Sequence, residues 1–68
     1  MIQNEAQLQQ ALEQIESLCR AVQSLRAELF PKNPRNFAIL AEGPLDEIRK
    51  LQAHVDDYVT RLEHVGTA

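Results

Sequence analysis

Two histidines and an aspartate are the residues with which this sequence could bind a metal ion. His54 and Asp57 stand three residues apart, and His64 follows Asp57 by seven. On a helix these spacings bring side chains to similar faces, but no Glu-x-x-His, His-x-x-x-His or His-Glu-x-x-His pattern occurs. We therefore predict no metal site and no cofactor, and a metal-binding helical bundle is the third of three functional hypotheses.

Cys19 is the only cysteine and the only candidate nucleophile of its type. A reactive thiolate needs a neighbouring base or an electropositive site, and no histidine shares the helix predicted around it. It falls on an apolar helix face, so we predict that it packs in the core as a small hydrophobic side chain. No Ser-His-Asp order and no glycine-rich phosphate loop is present, and we predict no catalytic residues and no enzyme.

Three basic residues, Arg26, Lys32 and Arg35, cluster around a predicted bend, with Glu28 between them. They are the candidate contact for an anion or a phosphate group, although Arg26 could equally complement the carboxyl end of a helix. Interleaved aromatic residues and a recognition-helix pattern are missing, and the net charge is −3, so nucleic acid is not the expected partner. A nucleic-acid-associated transcriptional regulator that uses this basic bend is the alternative hypothesis.

The length and composition indicate one small helical domain. A chain of 68 residues supports a single domain whose core is marginal by itself. The 44% hydrophobic and 25% charged content is that of a folded chain, and one cysteine forms no internal disulfide. No signal segment and no apolar run of membrane-spanning length is visible, which predicts no membrane contact and a cytoplasmic location.

The first predicted helix covers about residues 3–29. This segment contains no proline or glycine and is rich in strong helix formers, with Asn4 or Gln3 at its start. Its apolar residues form a stripe three positions wide, which is broader than the seam of a two-stranded coiled coil. The central line is Leu8, Ile15, Val22 and Leu29, with Leu12 and Cys19 on one side and Ala11, Leu18 and Leu25 on the other.

Pro31 ends this helix, and the second arm begins at Asn33-Pro34, an asparagine cap followed by proline at the first helical position. Gly43-Pro44 is predicted to break this arm into a short helix over about residues 34–42 and a longer one over about 44–64. Gly66 is placed to end the arm, and Thr67 and Ala68 are expected to fray. The apolar lines of the longer helix are Ile48, Val55 and Leu62, then Leu51, Tyr58 and Val65, with Leu45 and Val59 at their side.

Two arms of similar length joined by four or five residues predict an antiparallel helical hairpin. Each apolar stripe is too wide for one neighbouring helix to cover, so we predict that two hairpins pair into a four-helix-bundle homodimer. A three-helix monomer in which the chain reverses at Gly43-Pro44 is the competing fold. The predicted core and dimer interface consists of Leu8, Leu12, Ile15, Leu18, Cys19, Val22, Leu25, Leu29, Ile48, Leu51, Val55, Tyr58, Val59 and Leu62.

The opening residues Met1-Ile2-Gln3-Asn4-Glu5, followed by a long amphipathic helix, resemble the start of many antitoxin-like bacterial helix-turn-helix regulators. The run Ile48-x-x-Leu51-x-x-x-Val55-x-x-Tyr58, with Pro34 fourteen residues upstream, is similar to a later part of the same segment. In that family the segment forms a helical arm or hairpin that precedes the DNA-binding domain. This chain stops at Ala68, where that domain would begin, so we do not carry DNA binding over. The resemblance implies a stand-alone association module of a small bacterial or phage-derived protein, with the chain itself, another helical protein or a toxin as partner.

Overall fold

A computed structural model describes residues 1–66, which form two helices, α1 (Glu5–Leu29) and α2 (Pro34–Gly66). The helices lie antiparallel, and together they make a rod measuring 54 × 17 × 16 Å. The described residues contain no strand, so the predicted all-α helical hairpin is confirmed. Within this part of the chain, neither helix combines the length and the apolar character that a membrane crossing requires.

The start of α1 is fixed by a capping arrangement around Asn4. The side chain of Asn4 accepts a hydrogen bond of 2.9 Å from the backbone N–H of Gln7. In return, the Gln7 side chain accepts a hydrogen bond of 2.7 Å from the backbone N–H of Gln3. Such reciprocal bonds satisfy donors that the first turn of a helix cannot pair internally. The helix therefore begins at Glu5, close to the predicted position.

The bend between the helices occupies residues 30–33, as the prolines predict. The backbone N–H of Asn33 donates to the carbonyl oxygen of Leu29 at 2.7 Å and closes the turn. The Asn33 side chain then accepts a hydrogen bond of 3.0 Å from the backbone N–H of Asn36. Pro34 stands first in α2, where its missing N–H would have had no helical partner. The start predicted for the second arm is thus confirmed.

The predicted break at Gly43-Pro44 is not seen, because α2 continues through both residues to Gly66 as one helix. Pro44 removes one backbone hydrogen bond, but it lies half-buried against α1 in the same apolar line as Ala41 and Ile48. Packing along this unbroken line outweighs the local preference of the proline. The division into helices at about 34–42 and 44–64 is therefore corrected, and the chain does not reverse there as a three-helix fold requires. The fraying expected for Thr67 and Ala68 lies outside the described residues.

The two helices meet along a narrow seam whose residues are spaced alternately by three and four. This spacing is the heptad pattern of a coiled coil, with one helix packed against one neighbour. Of the described residues only Ile2, Ala11 and Ala41 are buried hydrophobics, with exposures of 5%, 6% and 1%. The other seam residues are half-buried: Leu8, Ile15, Leu18, Val22, Leu25 and Leu29 on α1, and Phe37, Pro44, Ile48, Leu51, Val55 and Tyr58 on α2.

The end of the rod opposite the bend, here called the open end, is closed by the residues that precede α1. Ile2 is buried there, and its carbonyl oxygen accepts a hydrogen bond of 2.6 Å from Nη2 of Arg61. The Arg61 guanidinium also pairs with Asp57 at 3.4 Å and lies 5.7 Å from the centre of the Tyr58 ring. One arginine on α2 therefore ties the N-terminal segment to the second helix.

Candidate association surface

One side of the hairpin is apolar and exposed. In the heptad pattern, the residues immediately after Ala11, Leu18 and Leu25 of α1 lie on this side, as do those after Phe37, Pro44, Leu51 and Tyr58 of α2. Leu12, Leu45 and Val59 on this side are 45%, 37% and 41% exposed. We call this side the apolar flank, and it consists of Leu12, Cys19, Arg26, Ala38, Leu45, Gln52 and Val59.

A shallow groove runs between the helices on the apolar flank. Cys19 and Arg26 contribute to it from α1 and Leu45 from α2, with the seam residues Val22 and Ile48 at its floor. Its walls are mostly apolar, and it holds no pair of ionisable groups suited to acid-base chemistry. Such a groove can receive an apolar side chain from another protein, and it offers little to a polar substrate.

The opposite side of the hairpin is mostly polar. In the heptad pattern these are the residues immediately before Leu8, Ile15, Val22 and Leu29 of α1 and before Ala41, Ile48, Val55 and Leu62 of α2. We call it the polar flank, and it consists of Gln7, Gln14, Ala21, Glu28, Leu40, Glu47, His54 and Arg61. Leu40, at 50% exposure, is its one large aliphatic residue. The two flanks therefore present different surfaces to a partner.

The structure divides the predicted core and interface residues into two groups. Ten of them lie half-buried on the seam, whereas Leu12, Cys19, Val59 and Leu62 are exposed. Cys19 is therefore exposed in the single hairpin, and its burial stays a prediction for the dimer. The cause is geometric, because a two-helix packing covers only two of the three apolar positions in the stripe and leaves the third in solvent.

The three basic residues near the bend are exposed, and they lie on different parts of the surface and do not form a common binding site. Arg26 lines the apolar groove, while Lys32 lies in the bend and Arg35 in the first turn of α2. None of the three makes an ion pair with another described residue. The ion pairs of the described chain are Glu16–Arg20, Asp46–Lys50 and Asp57–Arg61, each four residues apart on one helix. An anion would therefore meet separate, solvated cations at this end of the rod.

The histidines and Asp57 are not gathered around a common point. Asp57 pairs with Arg61, and His54 lies exposed on the polar flank. Within residues 1–66, no group of three or more His, Cys, Asp or Glu side chains is arranged to hold a metal ion. The structure thus gives no geometry from which a metal centre could be derived.

Two aromatic rings close the bend end of the rod. Phe30 and Phe37 meet edge to face, with ring centres 5.8 Å apart and planes inclined by 75°. Edge-to-face pairs are favourable because the positive edge of one ring meets the negative face of the other. Phe30 remains 50% exposed, so the pair covers the end of the seam while one ring stays in contact with solvent.

The predicted core list omits the three most buried residues, although Ala11 belongs to the predicted apolar stripe of α1, and it also omits the half-buried Phe37 and Pro44. Ala11 and Ala41 lie where the helices approach closely, and their small size gives a weak signal in an apolar pattern. Ile2 lies two residues before the cap residue Asn4 and outside both helical patterns, so no signal in the sequence indicates that it is buried.

No family model, no curated protein and no solved structure matches the chain.

Proposed function

We propose that the protein is a non-enzymatic helical association module that forms a homodimer, in which two hairpins make a four-helix bundle. The observation that carries the proposal is the amount of exposed surface. The hairpin exposes 5314 Å², whereas a compact monomer of 7.7 kDa exposes about 4,300 Å². The excess of about 1,000 Å² is close to the roughly 800 Å² that each partner contributes to a standard protein interface.

The energetics of the core support the same proposal. Only Ile2, Ala11 and Ala41 are buried hydrophobics among the described residues, and none of these is a large side chain in the middle of the seam. A fully buried aliphatic side chain contributes about 1.5–3 kcal/mol relative to an exposed one, and the half-buried seam gains only part of this. Total stabilities are about 5–15 kcal/mol, so covering the exposed leucines and valines in a dimer is a large gain.

The chemistry of the surface favours association over catalysis. The apolar flank offers a groove with mostly aliphatic walls, while the three described ion pairs each join residues four apart on one helix. Such pairs stabilise isolated helices by a few tenths of a kcal/mol. A link to a toxin–antitoxin or regulatory system is the finer part of this proposal, and its support is the resemblance of the opening and later segments to antitoxin-like regulators.

The alternative, a nucleic-acid-associated regulator, has one observation in its favour: Arg26, Lys32 and Arg35 are exposed and have no ionic partner among the described residues. The surrounding half of the rod nevertheless has a net charge of only +2, because residues 18–50 contain six basic and four acidic residues. Non-specific affinity for nucleic acid grows with the number of phosphates that a protein neutralises. Self-association therefore has the stronger support.

Sedimentation equilibrium over a hundredfold range of protein concentration tests the proposal. We expect a mass twice that of the chain at the higher concentrations, with helix content by circular dichroism falling as the dimer dissociates. A folded species with the mass of one chain at all concentrations would contradict the proposal. A stable complex with a different protein, formed in preference to the homodimer, would support a role in association but contradict the proposed homodimer.

A further inference from the structure

We infer that the two hairpins pair antiparallel and side by side through their apolar flanks, so that the bend of each lies beside the open end of the other. The inference rests on the proposed homodimer, to which it adds a face and a direction. It is carried by the difference between the two flanks, by the positions of Leu12 and Leu45 along the rod, and by the distribution of charge.

The apolar flank is the better surface for a second copy. It presents aliphatic side chains from both helices, including Leu12 and Val59 near the open end and Leu45 nearer the bend. The polar flank presents Glu28 and Glu47 in the same half of the rod as its single large aliphatic residue. Charged side chains are depleted in the buried centre of interfaces because their desolvation is unfavourable. A symmetric dimer uses the same patch on both partners, so the apolar flank meets its own copy.

The positions of Leu12 and Leu45 match an antiparallel arrangement. The midpoint of α1 is Ser17, and Leu12 lies five residues from it toward the open end. Leu45 shares its groove with Val22 and Gln23, which lie five and six residues from the same midpoint toward the bend. At 1.5 Å per residue both leucines are roughly 8 Å from the middle, on opposite sides of it. A twofold axis through the middle and perpendicular to the rod therefore brings Leu12 of one chain to the same height along the rod as Leu45 of the other.

The charges favour the same direction. Because Leu45 is level with Val22 and Gln23, the middle of the rod lies near Ser17 of α1 and Lys50 of α2. Residues 18–50, the half near the bend, carry a net charge of +2, and the half near the open end carries −5. Parallel pairing would bring two negative halves together, whereas antiparallel pairing sets each one beside a positive half. It also moves Arg26, which lies on the apolar flank near the bend, toward the partner's acidic open half. Charges arranged in this way fix the direction of pairing more than they raise its affinity.

The face is tested with two matched variants, Leu45→Glu on the apolar flank and Leu40→Glu on the polar flank. Both replace an exposed leucine of α2, and the two positions lie on opposite sides of the seam, five residues apart. We expect Leu45→Glu to raise the dissociation constant of the dimer at least about 100-fold, because two carboxylates, one from each chain, would enter the dimer interface. We expect Leu40→Glu to change it less than about threefold. Stronger weakening by Leu40→Glu than by Leu45→Glu would overturn the assigned face.

The direction is tested by a distance that does not depend on those variants. A Cys19→Ala, Lys32→Cys protein carries one spin label at each bend, and pulsed electron paramagnetic resonance measures the separation of the two labels. Since the rod is 54 Å long, we expect a separation near its length for the antiparallel dimer. A separation below half of that length would establish parallel pairing and overturn the inference. If sedimentation of the wild-type chain shows only a monomer, the proposed function itself fails, and this outcome is distinct from the other two.

Discussion

Arg61 makes more described contacts than any other charged side chain of the rod. It donates to the carbonyl oxygen of Ile2, pairs with Asp57 and lies over Tyr58. A hydrogen bond from a charged group contributes about 1.5–3 kcal/mol, and the 44% exposure of this side chain reduces its share. Its bond to Ile2, whose side chain is buried, is the one hydrogen bond described between the segment before α1 and α2.

We predict that Arg61→Ala lowers the free energy of unfolding by about 1–2 kcal/mol and frees the first residues of the chain. Urea denaturation at a fixed protein concentration measures the first effect, and amide hydrogen exchange at residues 2–4 measures the second. The matched control is Arg49→Ala, since Arg49 lies exposed on the same helix and forms no described ion pair. Equal effects of the two substitutions would show that the Ile2 contact adds nothing.

At the scale of the element, Pro44 is the residue of α2 whose replacement is expected to stabilise the protein. A proline inside a helix is about 3 kcal/mol less favourable than alanine, although it also restricts the unfolded chain by about 0.4–1 kcal/mol. We predict that Pro44→Ala raises the free energy of unfolding by roughly 1–2 kcal/mol, since α2 already runs through this position. Chemical denaturation measures the change.

The control for that prediction is Pro34→Ala, at the first position of the same helix. A proline there loses no helical hydrogen bond, so its replacement should leave stability unchanged or slightly lower. If Pro44→Ala were as neutral as Pro34→Ala, the helix would be adapted to its internal proline, and packing around the ring would account for the continuity of α2.

The bounds of α1 and the bend could be predicted because single residues determine them. Asn4 caps the first helix and Asn33 the second, while Pro31 stops the first helix, and each acts through bonds to its immediate neighbours. The continuity of α2 could not be predicted from local preference, since Gly43-Pro44 is a strong break signal. The apolar line that passes through Pro44 with unchanged spacing indicated a continuous helix instead. Packing of this line against α1 outweighs the local break signal.

Four residues of the apolar flank, Leu12, Cys19, Leu45 and Val59, lie on the predicted apolar faces, but the division of those faces between seam and flank could not be predicted. Leu12 and Cys19 lie on one side of the central line of α1, while Leu18 and Leu25 lie on the other, and both sides are apolar. The geometry of the bend determines which side of α1 packs against α2, and no local sequence pattern indicates which side this is. The sequence therefore indicates a surface without showing which part of it the hairpin itself covers.

For the whole molecule, the expected behaviour is that folding and dimerisation occur together. We predict that the melting temperature rises with protein concentration, and that Ile15→Asp dissociates the dimer and largely unfolds it. Ile15 lies half-buried in the middle of the seam, and an unpaired carboxylate there costs several kcal/mol. Thermal melts at several concentrations, followed by circular dichroism, measure both effects.

The neighbouring substitution Gln14→Asp is the control, because Gln14 lies exposed on the polar flank. It adds the same charge to the same turn and should leave the association state unchanged. A folded, monomeric Ile15→Asp protein would mean that the hairpin is stable without a partner.

A second prediction for the whole molecule is that it does not bind DNA specifically. Specific sites bind their proteins at about 10⁻⁸–10⁻¹¹ M, and with a net charge of −3 we predict no such binding to any duplex at physiological salt. Electrophoretic mobility shift with a pool of random duplexes measures this. A nanomolar shift that selects one sequence and is lost in the Lys32→Ala, Arg35→Ala double variant would favour the regulator hypothesis instead.

The hairpin brings the first described residues and the end of α2 to the same end of the rod, and this has a mechanical consequence. A force that pulls these two ends apart acts across the seam, so it separates the helices one layer at a time from the open end. The bond between Arg61 and Ile2 breaks first, and the Phe30–Phe37 pair near the bend separates last. A chain held in this geometry unzips under low tension, although the same seam would resist a force applied along its length.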